Sequence, residues 1–272
     1  MKRDFEKLFL QVFCPFLSQH GFVKKTIKNV PNRNREEYYV FDESSQLLRR
    51  ISWRFFSAFD RGLYDMEIAV SSLSSFDEDN QIFHSCSPEF HIHDLRIFSD
   101  YHHKQVNVRR NDLAFQFFKD NPERTTLGLE VVFEIMMEYK SFLFAKSVSD
   151  YVKEYNQIYP QKFGLYNYRL AFNDAILMND IPMAISLLDE QIVRQKKWIE
   201  DCQQELLLTN SKHFTQESTN LERRQGWLSE DILRRDQLLR GEYSHFQEKV
   251  QENHQLCLKW IDEVLKPTKM KR

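Results

Sequence analysis

The chain has 272 residues, enough for one large or two modest domains, each able to bury a core of its own. Hydrophobic residues make up 42% and charged residues 29%, a globular balance that excludes disorder along most of the length. The formal net charge of −2 excludes a whole-molecule field that would concentrate nucleic acid or anionic membrane, so neither is expected as a partner.

Residues 4–19 place Phe5, Leu8, Phe9, Val12, Phe13 and Phe16 at helical spacing, and His20-Gly21 supplies a left-handed stop. Four β-type runs follow at 22–29, 36–42, 47–57 and 63–71, separated by Pro31-Asn32-Arg33-Asn34, Glu43-Ser44-Ser45 and Asp60-Arg61-Gly62. In the last run Tyr64, Met66, Ile68 and Val70 alternate with Asp65 and Glu67, which predicts a sheet with one wet face, and the short connections predict an antiparallel meander. Residues 72–105 read as a loop with room for one more strand. From about 109 the period is helical, through Leu113, Phe117 and Phe118 and then Leu127 to Ala145, so two helices are expected to cover the sheet.

After a connecting segment near 148–160, Tyr166–Asn179 and Pro182–Leu208 read as a helical hairpin joined by Asn179-Asp180-Ile181-Pro182. Ile181, Ile185, Leu188, Ile192, Gln195, Ile199, Cys202 and Leu206 form a heptad seam. A polar stretch from Thr209 to Ser218 leads to Thr219-Asn220-Leu221-Glu222, which matches a capping box and starts a helical region to about Leu265 with a break at Gly241. Phe246, Val250, Asn253, Cys257, Trp260 and Val264 repeat the seam. Two long antiparallel helices account for both seams, and a homo-oligomer through the C-terminal helices is the alternative. The fold class is therefore α+β: an antiparallel sheet covered by helices over residues 1–150, then an all-helical domain over 151–272 with a helical hairpin and long coiled-coil-like helices.

Five of nine histidines, His84, His91, His93, His102 and His103, fall in one stretch beside Cys86 and Asp94. On a strand His91 and His93 would project from one face and could share a metal with a third ligand, which makes His84, His91, His93 and Asp94 the candidate set for a metal-dependent hydrolase or nuclease. Polar loop histidines are the plainer reading, because no second pair at metal-ligand spacing accompanies them. Nucleophile-elbow and phosphate-loop signatures are missing, so no cofactor is expected. The carboxylates Glu36-Glu37 and Asp77-Glu78-Asp79 read as solvated. The start carries acids and passes into an amphipathic repeat, unlike a secretory leader, and the four scattered cysteines fit reduced thiols, so a soluble cytoplasmic protein is expected.

Lys24, Lys25, Lys28, Arg33 and Arg35 form an acid-free basic stretch, while Trp53 and Phe55 alternate with Ser52 and Arg54 along the third strand. Trp53, Arg54, Phe55, Lys24 and Lys25 are the candidate residues for binding a protein partner, with core packing the plainer reading of the two rings. His20-Gly21-Phe22-Val23-Lys24-Lys25, the meander after it and the Ser141-Phe142-Leu143-Phe144 end resemble a bacterial domain family of unknown function, over residues 4–150. Members look like accessory proteins of toxin–immunity or defence loci, and the resemblance implies a binding role without catalytic residues. Tyr168, Ala171, Ala175, Ala184 and Leu188 resemble a single tetratricopeptide-type hairpin. The expected function is that of a non-catalytic protein-binding factor, an immunity or defence-associated accessory protein.

Overall fold

A stripe of phenylalanines decides the first element. Phe5, Phe9, Phe13 and Phe16 are all buried on one side of α1 (Lys2–Gln19). Pro15 is tolerated late in the helix because the carbonyl it frees belongs to Gln11, an exposed position that water can reach. The helix closes as expected: Gly21 has φ 69°, its N–H donates to Ser18 O at 3.2 Å, and Phe22 N–H donates to Leu17 O at 2.8 Å.

The computed structural model describes residues 2–25, 35–58, 61–74, 89–91, 115–158, 168–208 and 214–265. It divides into two units, residues 1–158 together with 256–272, and residues 159–255. In the first unit the strands are β1 (Val23–Lys24), β2 (Arg35–Asp42), β3 (Leu47–Ala58), β4 (Arg61–Ser71), β5 (Glu89–His91) and β6 (Gln116–Phe117). They form the expected antiparallel meander in the order β1-β2-β3-β4-β5, with β6 also paired to β4. One face carries Tyr38, Ile51, Trp53, Phe55, Tyr64, Met66 and Ile68, all buried. Against it lie Phe5, whose ring is 5.0 Å from Trp53 and 4.6 Å from Tyr64, and Phe9, 5.6 Å from Tyr38. Burial there pushes the Tyr38 hydroxyl up to about 12.

The helix of the cover is α2 (Pro122–Glu138), whose first turn is capped by Asn121 accepting from Arg124 N–H at 3.1 Å. Phe133 of α2 meets Phe13 and Phe16 edge to face at 5.3 and 5.5 Å. Two expectations are corrected in this region. Gln116 and Phe117 extend the sheet instead of starting a helix, because Phe117 fills the space beside Phe55, 5.5 Å away. The segment expected to be a connection is helical: after the short α3 (Lys140–Leu143) comes α4 (Val148–Ile158), where Tyr151 is buried against Phe142.

The second sheet face is covered around Glu67 where a wet face is expected, a further correction, and is open only toward its Phe56 and Leu63 end. Glu67 is only 5% exposed, and Tyr39, Leu48, Ala69 and Leu73 form a buried cluster with Cys257 and Ile261 of the C-terminal helix. Burial in that cluster pushes the Cys257 thiol up to about 12. Gly62, expected in a turn, lies inside β4 opposite Ser57, since a Cβ there would come within 2.6 Å of Phe55 Cζ.

The second unit is helical. Its elements are α5 (Tyr168–Leu177), α6 (Ile181–Leu208), α7 (Phe214–Leu239) and the first part of α8 (Ser244–Val264), whose residues from 256 onward belong to the first unit. Asp180 caps α6 by accepting from Met183 N–H at 3.0 Å. Ala175, Ala184, Leu188, Leu238 and Val250 form one buried cluster with Phe172 and Ile176. The α6 seam stands as read, with Leu188, Ile192, Gln195, Ile199 and Cys202 buried, and α7 lies antiparallel to it. The expected start at Thr219 is corrected: α7 begins at Phe214 and runs through the capping-box sequence, while the break at Gly241 is present with φ 77°.

Candidate functional site

Charged groups gather on the second face of the sheet, where the register sets Glu37, Ser52 and Glu67 side by side on β2, β3 and β4. Arg50, 2% exposed, reaches both carboxylates: Nη2 lies 3.3 Å from Glu67 Oε2 and Nη1 lies 3.8 Å from Glu37 Oε1. Ser52 Oγ donates to Glu67 at 3.1 Å and the Tyr39 hydroxyl donates to Glu37 at 3.0 Å. Lys25 completes the row, 3.7 Å from Glu37 and 5.0 Å from the centre of the Trp260 ring. Two carboxylates thus meet two cations under cover, where leaving either sign alone would be costly. The arrangement ties three strands and the end of α8 together. The sequence predicts a solvated Glu37, and its 6% exposure corrects that expectation.

A cleft of about 500 Å³ opens at the end of β2, lined by His20, Phe41, Asp42, Arg49, Phe144 and Lys146 among others. His20 stands between the rings of Phe16 and Phe144, at 4.6 and 4.5 Å. Arg49 gives its donors to the carbonyls of Leu143 (2.7 Å) and Ala145 (3.0 Å), and to Asp42 at 3.0 Å. Burial alone would push the Asp42 carboxyl up, but hydrogen bonds from Ser44, Ser45 and Arg49 outweigh it and hold the group well below the usual carboxylate range. Arg49 and Asp42 of this cleft thus fasten the β2–β3 turn to the end of α3 and the segment after it.

Where the sequence placed candidates, the structure separates them. Trp53 (1% exposed) and Phe55 (3%) are core rings against Phe5 and present no surface. Arg54 points to the other face, its guanidinium 5.8 Å from the Phe56 ring centre. Lys24 pairs with Glu6 at 2.6 Å and Glu36 at 3.1 Å, so it and Lys25 stand among carboxylates. His91 sits in β5 with its backbone opposite Glu67, whereas His84, His93 and Asp94 lie outside the described residues. Among the described residues no group of three or more His, Cys, Asp or Glu side chains could hold a metal.

Two residues not singled out in the sequence stand out instead. Phe56 and Leu63 face each other across β3 and β4, 42% and 43% exposed. The signal was the alternation itself: once Trp53 and Phe55 face the core, Phe56 must face away with Arg54.

No family model, curated protein or solved structure matches the chain. Among the described residues no helix is long and apolar enough to cross a membrane.

Proposed function

We propose that this chain is a non-catalytic protein-binding factor whose sheet meets the partner, acting as an immunity or defence-associated accessory protein of the kind its N-terminal half resembles. The observation that carries the reading is the exposed pair of Phe56 and Leu63 with the Arg54 guanidinium over the Phe56 ring. Aromatic and arginine side chains dominate interface energetics, and covering exposed apolar area is favourable by about 25 cal/mol per Å². Arg50, Lys25, Glu37 and Glu67 compensate one another on the covered part of that face, and the exposed apolar pair stands beside the half-buried Arg54 and Asp65 at its open end.

Affinity capture from the native cell with the wild-type chain and with Phe56→Glu tests this. A stoichiometric protein retained by the wild type and lost by the variant is the expected result, and equal recovery by both would sink the sheet as the binding surface. The second reading is a metal-dependent hydrolase or nuclease, and the backbone pairing of His91 with Glu67 is the observation behind it. Stoichiometric zinc or manganese in purified protein, lost in a His91→Ala/His93→Ala variant, would move the assignment to that reading.

A further inference from the structure

The cleft at the end of β2 holds hydrogen-bond donors that the fold itself does not use. Its walls come from three segments: His20 just past α1, then Phe41, Asp42 and Arg49 on the β2–β3 hairpin, then Phe144 to Lys146 after α3. Arg49 is 4% exposed, and its Nε and Nη2 are taken by Leu143 O, Ala145 O, Asp42 and Ser45 Oγ. Its Nη1 meets no acceptor among the described residues. The His20 side chain touches the ring faces of Phe16 and Phe144, and neither of its nitrogens has a hydrogen bond among the described residues. Lys146 is exposed and joins no ion pair among them.

The carboxylate in the same cleft is already saturated. A carboxylate has about four lone-pair sites, and Asp42 accepts from Ser44 N–H at 3.0 Å, Ser44 Oγ at 2.6 Å, Ser45 Oγ at 2.8 Å and Arg49 Nη2 at 3.0 Å. An incoming ammonium would find that carboxylate occupied, whereas an incoming anion would find donors in need of an acceptor. Charge points the same way, because Arg49 and Lys146 against Asp42 leave the lining residues with one positive charge in excess when His20 is neutral. The half-buried rings of Phe41 and Phe144 supply an apolar wall beside these donors. The volume of about 500 Å³ lies within the range of about 300–1,000 Å³ that small-ligand sites occupy.

We infer that this cleft binds a small organic monocarboxylic acid, whose carboxylate accepts from Arg49 Nη1, His20 and Lys146 while its apolar body lies along Phe41 and Phe144. Charge-assisted hydrogen bonds from guanidinium and ammonium to a carboxylate are about twice as strong as neutral ones. Arg49 is fastened by Leu143 and Ala145 before any ligand arrives, so little ordering is needed on binding. A carboxylate is favoured over a phosphate monoester because one negative charge matches the single positive excess, while a phosphate brings nearly two. The cleft shares no residue with the Phe56 and Leu63 surface, so either assignment can fail without the other.

Titration of the full-length protein with benzoate, phenylacetate and hexanoate, followed by amide chemical shifts and calorimetry, tests the assignment. At least one acid should bind at millimolar concentration or below and move the amides of Phe41, Phe144 and Lys146. Benzylamine, similar in shape but opposite in charge, should not bind. Lys146→Glu changes an exposed position, and His20→Phe keeps a ring between Phe16 and Phe144 while removing the donors. Each should weaken the best acid by about 10-fold or more, with the amide spectrum confirming that the variant is folded. No binding by any of the acids, equal affinity in wild type and both variants, or an amine that binds as tightly as the acids overturns the assignment. So does tighter binding of inorganic phosphate, or of a short peptide through its C-terminal carboxyl, which would give the cleft to a phosphate or to a protein end.

Discussion

Gly62 shows how tightly single positions are held in the sheet. A Cβ at this residue would meet Phe55 Cζ at 2.6 Å and Phe117 Cδ1 at 2.9 Å, both parts of rings already fixed by Phe5. Gly62→Ala should therefore cost about 1–3 kcal/mol through overpacking, read as a lower urea midpoint with an unchanged slope. Asp42 offers a second test, this time in pH. Its carboxyl is held below the usual range, so its contribution to stability is present above the ordinary value of about 4 and is lost as pH falls through the lower folded value. The stability gap between wild type and Asp42→Asn should be level from neutral pH down to about 5 and shrink below about 4. A gap that stays level through the acid range would show that Ser44, Ser45 and Arg49 do not act on that charge. Both residues depend on a distant segment, Gly62 directly through Phe117 and Asp42 indirectly, because its neighbour Arg49 is fastened to Leu143 and Ala145.

At the scale of elements, the helix ends repeat one solution. Gly21, Asn179 and Gly241 have φ of 69°, 57° and 77°, and in each case two backbone N–H groups return to the last turn. Glycine and asparagine reach this left-handed region with little penalty, which is why these stops were legible in the sequence. The same residue type has the opposite effect inside a helix. Gly226 lies within α7 with nothing within 4 Å of a Cβ, so Gly226→Ala should stabilise by about 1 kcal/mol, while Gly241→Ala should destabilise by about 1 kcal/mol. Thermal unfolding of the two variants side by side checks the opposite signs. The α6 seam was likewise legible because heptad spacing survives any packing partner, including the polar step where Gln195 meets Asp231. Boundaries were less legible: α7 starts before its capping box, and α4, an amphipathic helix with Tyr151 buried against Phe142, occupies a segment expected to be a connection.

Across the whole chain, residues 256–265 belong with the sheet although the strands lie some two hundred positions earlier. Cys257 and Ile261 close the cluster on Tyr39, Leu48 and Ala69, and Trp260 meets Tyr39 edge to face at 5.7 Å. Ile261→Asp, which places a charge at a 7% exposed position, should loosen the sheet through a substitution in the last helix. Hydrogen exchange should then quicken at amides of β3 and β4. Unchanged protection there would show that the end of α8 does not support the sheet.

What the sequence determined by itself is whatever depends on local period: α1 with its stop, the antiparallel order of β2 to β4, the hairpin of α5 and α6 and the α6 seam. Alternation also separated the faces of β3, but only tertiary structure decided that Trp53 and Phe55 are core and that the other face is covered around Arg50 and Ser52 yet exposed at Phe56 and Leu63. It alone revealed that Glu37 and Glu67 are covered, since their burial depends on Arg50, Lys25 and Trp260 arriving from three separate segments. Charge compensation and ring packing are long-range properties, and no window of neighbouring residues contains them.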